Sequence, residues 1–79
     1  MRVLYFAQAR LATGQPEEHW ETTSPLSLED FWAKLLRQHP GLAQLRSSCR
    51  LARNGRFLNP GETIQPDDEM AVLPPVSGG

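Results

Sequence analysis

Ser27-Leu28-Glu29-Asp30-Phe31-Trp32-Ala33-Lys34-Leu35-Leu36-Arg37-Gln38-His39 carries large apolar side chains at 28, 31, 32, 35 and 36. That i, i+3, i+4, i+7, i+8 spacing is one face of an amphipathic helix, about 18 Å long at 1.5 Å per residue. Ser27 is the N-cap, and Asp30, three residues on, completes a capping-box-like S-x-x-D arrangement. Glu29 and Asp30 occupy the first turn, where a carboxylate meets the positive end of the helix dipole. His39-Pro40-Gly41 ends the element.

Outward from this helix the chain reads as strands. Residues 2–8, Arg-Val-Leu-Tyr-Phe-Ala-Gln, form a run of β-formers, with Val3 and Tyr5 on one face and Leu4 and Phe6 on the other. Residues 9–14 read as one turn of helix stopped by Gly14, and Gln15-Pro16 breaks the chain after it. Glu17 to Thr23, with Trp20 among polar neighbours, reads as a strand with one face in water that pairs back on the first. Gly41 to Cys49 reads as a loop with a short turn of helix around Leu42 and Leu45. Arg50 to Arg53, Asn54-Gly55 and Arg56 to Leu58 spell a hairpin, because Asn-Gly accepts the positive φ values of a type I′ turn. Asn59-Pro60-Gly61 and Pro66-Asp67-Asp68 are further turns, and Glu69 to Leu73 is a last strand stopped by Pro74-Pro75. The order is β-β-α-β-β-β with a single substantial helix. One helix covers only one face of a sheet, so the pattern predicts an α+β fold. A mixed four- to five-stranded sheet curls around the helix stripe as a β-grasp, ubiquitin-like roll. A two-helix ferredoxin-like sandwich ranks second, since only one segment keeps helical period over a useful length. Residues 1–73 form the domain and 74–79 an extended tail.

A chain of 79 residues, 39% hydrophobic and 22% charged, closes one small core and has no room for a large enclosed catalytic cleft. Its net charge of −1 provides no general field for nucleic acid or an anionic membrane, and neither is an expected partner. No apolar run approaches the roughly 20 residues of a membrane span. Met1-Arg2 leads straight into Val3, with too little basic flank and too short an apolar stretch for a signal peptide. With Cys49 as the one cysteine, no internal disulfide forms, and the expected location is the reducing cytoplasm.

Side chains offer little chemistry. His19 and His39 lack metal-ligand spacing and neighbouring cysteines, so no metal is expected. Cys49 precedes Arg50, which would favour a thiolate, yet a lone cysteine in a small domain is more often a packing residue. Asp67-Asp68-Glu69 follows Pro66 and reads as a solvated turn rather than an acid/base pair. Arg46, Arg50, Arg53 and Arg56 fall in a stretch without acidic residues and form an auxiliary contact for an acidic partner at most.

The C-terminal stretch is different. From Met70 to Gly79 there is no charged side chain apart from the terminus, and the chain leaves its last strand as Leu73-Pro74-Pro75-Val76-Ser77-Gly78-Gly79. Two prolines hold the backbone extended, so residues 74–79 reach on the order of 20 Å past the strand. Gly78 and Gly79, lacking a Cβ, pass a narrow channel and bring the Gly79 carboxylate against a nucleotide phosphate or a partner's nucleophile. A carboxylate is a poor electrophile until adenylation gives it a leaving group, and this chain has no phosphate-binding loop of its own. Activation therefore calls for a separate ATP-using enzyme, and no cofactor is expected on this chain. Leu73, Val76 and Phe6 are apolar anchors beside the tail. Arg10 is placed to pin the tail root or meet a partner acid, with a surface salt bridge as the plain alternative.

With these residues in hand, the chain resembles the MoaD-like branch of ubiquitin-like sulfur carriers, the small subunits of molybdopterin synthase. Val3-Leu4-Tyr5-Phe6-Ala7-Gln8-Ala9-Arg10 matches that family's opening strand, Ser27 to His39 its helix, and Leu73 to Gly79 its tail. Leu73 and Leu11 stand where the family more often has Phe and Glu. The resemblance implies that an E1-like adenylyltransferase adenylates the Gly79 carboxylate with ATP. The adenylate is then converted to a thiocarboxylate with sulfur mobilised from cysteine by a donor protein. It further implies that the loaded tail, Pro74 to Gly79 with Ser77 within it, enters a large subunit and passes its sulfur to a cyclic pyranopterin. Two such transfers build the dithiolene of molybdopterin, in a heterotetramer with two small subunits flanking a large-subunit dimer. The carrier of sulfur for thiamin biosynthesis, usually shorter and without the double proline, and a ubiquitin-related protein modifier are the alternatives.

Overall fold

The structure is a computed structural model that describes residues 1–75. Five strands, β1 (Arg2–Tyr5), β2 (Glu17–His19), β3 (Arg50–Arg53), β4 (Arg56–Phe57) and β5 (Glu69–Leu73), form one sheet in the order β2-β1-β5-β3-β4. The central pair β1 and β5 is parallel, with Tyr5 opposite Val72, and the other pairs are antiparallel. This is the β-grasp roll that the sequence predicts.

Two helices lie on one face. α2 (Leu28–Gln38) is the amphipathic helix, and Ser27 caps it by accepting from the Asp30 N–H at 3.0 Å. Phe31, Trp32 and Leu35 of its stripe are buried, while Leu28 and Leu36 flank the core half-buried. They meet Val3, Tyr5, Leu51, Met70 and Val72 from the sheet, all inward-facing by strand alternation. Trp20 packs its indole on Phe31 with ring centroids 5.0 Å apart, and its backbone N–H donates to the Met1 carbonyl at 2.8 Å.

The element order differs from the sequence reading at one connection. Between β1 and β2 stands a full helix, α1 (Ala7–Thr13), which begins two residues earlier than expected and cuts β1 short at Tyr5. Ala7 adopts a left-handed φ of 48°, swinging the chain off the sheet immediately after Phe6. Ala9 is fully buried against the core, so tertiary packing outweighs the β-propensity of this stretch. Gly14, at φ 74°, closes the helix by donating its N–H to the Arg10 carbonyl. Strand β2 is shorter than read, ending at His19 instead of Thr23. Pro40–Leu45 forms a 3₁₀ helix that sends Leu42 into the core. The Asn54-Gly55 turn has φ of 52° and 84°, the type I′ signature expected of it.

Candidate functional site

Strand alternation that turns Val3, Tyr5, Leu51 and Val72 inward turns Leu4, Arg50, Ala52, Ala71 and Leu73 to the other face of the sheet. Both α-helices lie on the inner side, so the outer face carries a strip of small and apolar side chains across the strands. Phe57, paired with Ala52 on the edge strand, is 51% exposed, and Phe6, one residue past the Tyr5–Val72 pair, is 45% exposed. Sequence reasoning found Phe6 and Leu73 but missed Phe57. The missed signal is a large aromatic on a two-residue edge strand, at the position alternating with an exposed Arg56.

At one end of this strip the last strand leaves the sheet. Pro74 is buried and belongs to the body of the domain, whereas Pro75 is exposed. Leu73, Pro74 and Pro75 line a shallow groove with Ser48, Arg50 and Phe57. The central carbon of the Arg50 guanidinium lies over the Phe57 ring, 3.6 Å from its centroid, a cation–π contact. At the other end of the face, Arg2 bridges Glu17 and Glu69, 3.0 Å from each. The hydrogen bond from Arg2, outweighing partial burial, holds Glu17 below the usual carboxylate range. Arg10 sits on the exposed side of α1 and makes no ion pair among the described residues. Val76, Ser77, Gly78 and Gly79, the remaining residues of the predicted tail, lie outside the described residues.

The other sequence candidates sort themselves by their surroundings. Cys49 is half-buried against the core, and burial pushes its thiol up, away from thiolate reactivity. Asp68 caps its own turn, accepting from the Gln65 N–H at 2.7 Å and the Asn54 amide at 2.9 Å. Arg53 is spent within the fold on Glu62, at 2.6 Å, and the Thr63 carbonyl. His39 is half-buried, with its side chain 15% exposed, and binds Glu18 at 2.6 Å. No three His, Cys, Asp or Glu side chains converge as a metal site among the described residues. No helix there is long and apolar enough to cross a membrane.

A family model described as the ThiS family matches residues 3–79. A molybdopterin synthase sulfur carrier subunit from Chlamydomonas reinhardtii is 35% identical over 81 residues, covering 100% of this chain and 98% of that protein. One from Homo sapiens is 34% identical over 82 residues, covering 100% and 93%. Among solved structures, SAMP1 from Haloferax volcanii superposes with a TM-score of 0.84 at 26% identity, covering 100% of this chain and 98% of that one. A complex of subunits 1 and 2 of molybdopterin-converting factor from Helicobacter pylori shares the fold, with a TM-score of 0.68 at 23% identity over 99% and 96%.

Proposed function

The chain belongs to the ThiS family, and from that membership we propose that it is the sulfur carrier subunit of a molybdopterin synthase. The carrying observation is likeness over the whole chain, at 34–35% identity, to curated proteins of that name. In this reading the Gly79 carboxylate attacks the α-phosphorus of ATP on an activating enzyme, releasing pyrophosphate and leaving an acyl adenylate. Sulfur delivered by a donor protein at the sulfide level attacks the acyl carbon, the acyl–phosphate bond breaks, and AMP leaves the thiocarboxylate behind. The loaded tail enters the large subunit and hands its sulfur to the pterin precursor, so the chain is a carried substrate and its own side chains supply docking rather than catalysis.

The outer face supports this division of labour. Phe6, Phe57 and Leu73 offer apolar area to a partner beside the point where the tail departs, and the buried Pro74 anchors the tail root. An anchored root lowers the ordering cost of placing the residues beyond it. Cytoplasmic location and the heterotetramer with the large subunit belong to the same proposal.

The test is ATP-dependent thiocarboxylation by the cognate activating enzyme, read by intact mass as a gain of about 16 Da when sulfur replaces oxygen. Deleting Gly79 is expected to abolish the gain, because the shortened carboxylate stops about 3.5 Å from where it must react. Gly78→Val is expected to impair it by adding a side chain in the channel. Full activity without Gly79 overturns the reading. A second reading, a protein modifier joined through Gly79 to a partner lysine, draws on the likeness to SAMP1, a small archaeal modifier protein. Isopeptide-linked species of higher mass in cells would favour it.

A further inference from the structure

Arg50 is the charged residue of the groove, and the carrier reading leaves it unused. It pairs across the sheet with Leu73, at the foot of the tail, and the central carbon of its guanidinium sits over the Phe57 ring, 3.6 Å from the centroid. At that distance an edge-on guanidinium would drive its N–H groups into the ring, so the contact uses its face and leaves in-plane N–H edges to receive a carboxylate through two parallel hydrogen bonds. No described acidic side chain forms an ion pair with it. Glu69 shares β5 with Leu73 but sits at the opposite end, about 13 Å along the strand, and is engaged by Arg2. Glu62 is engaged by Arg53. Docking a purely apolar surface over this groove would strip water from an unpaired cation, a cost that an opposing carboxylate removes.

We infer that Arg50 is the charged anchor of the docking surface: stacked on Phe57 at the tail root, it takes an acidic side chain of the large subunit. The inference rests on the sulfur-carrier reading and adds the chemistry its partner must present, a carboxylate bordered by apolar side chains. Arg50 thereby positions the tail at its point of departure and takes no part in sulfur chemistry.

Titration calorimetry of the full chain against its purified large subunit, at low and high salt, tests it. Arg50→Glu is expected to weaken binding by about tenfold or more, and Arg50→Ala to weaken it less while flattening its dependence on salt. Arg56→Glu carries the same change of charge on the opposite side of the sheet, since Arg56 pairs with Arg53 and through it with the inward Met70. That variant is expected to stay within about twofold of the parent. If Arg50→Glu and Arg56→Glu, both folded by thermal melting, bind alike, the anchor is overturned and the carrier reading stands. If the unaltered chain fails to bind the large subunit, the carrier reading falls and takes this inference with it.

Discussion

Glu18 Oε1 accepts from both the Tyr5 hydroxyl and His39 Nε2, while Gln15 Nε2 reaches Oε2 at 3.3 Å. Tyr5, Glu18 and His39 belong to β1, β2 and the C-terminal cap of α2, so one carboxylate ties the sheet edge to the end of the helix. Burial alone would push the Glu18 carboxyl up, but the hydrogen bonds from Tyr5 and His39 together outweigh it and hold the group below its ordinary value of 4.5. Burial, joined by donation to Glu18, pushes the Tyr5 phenol up. A carboxyl whose folded pKa is depressed contributes stability above its unfolded pKa, and that contribution is lost as pH falls through the folded value. Glu18→Gln is therefore expected to cost about 1–3 kcal/mol near neutral pH, with the gap to the parent closing as the pH falls below 4.5. Urea titrations of both proteins across that range check it. A gap that is constant with pH would remove the charge from the account.

At the scale of elements, α2 supplies the side of the core opposite the sheet. Leu35 is fully buried among Phe31, Leu42 and the inward strand residues. Leu35→Ala is expected to cost roughly 2–5 kcal/mol, a large share of what a domain this small possesses. Melting within a degree or two of the parent would show that the stripe is not the core. This helix was legible because period, cap and terminator all agree over Ser27 to His39, and the Asn54-Gly55 hairpin because its turn chemistry admits few alternatives. The start of α1 was not legible: Phe6-Ala7-Gln8 continues an apolar run, and only burial of Ala9 and the left-handed Ala7 turn it into a helix. The Tyr5–Glu18–His39 contact was hidden for a related reason. Its members are far apart in sequence, and a Glu in a polar strand carries no mark that it faces inward. Phe6 and Leu73 were readable as surface anchors because they border the tail. The hairpin puts Phe57 and Arg50 on one face, but that this face meets the root of the tail depends on the pairing of β3 with β5, which no local pattern specifies.

For the whole molecule the decisive property is asymmetry. α1, α2 and the 3₁₀ helix cover one face of the sheet, so the core is built on one side and the other is left to the carrier reading's partner, with Phe6, Phe57 and Leu73 bordering the root of the tail. Changes on the two sides should therefore separate. Val76→Asp, just beyond the described residues, places a charge where the carrier reading buries an apolar side chain against the large subunit. Binding is expected to weaken by well over about tenfold while the melting temperature of the free chain holds. Cys49→Ser, on the side that serves packing, is expected to do the reverse: a modest loss of stability with thiocarboxylation and large-subunit affinity intact. The two variants are measured together, by calorimetric titration, thermal melting and intact mass after activation. Loss of activation in a folded Cys49→Ser protein would move the chemistry from the tail to the thiol, and unchanged affinity in Val76→Asp would move the interface off the tail root. Either result would break the separation of faces that the sheet's one-sided covering predicts.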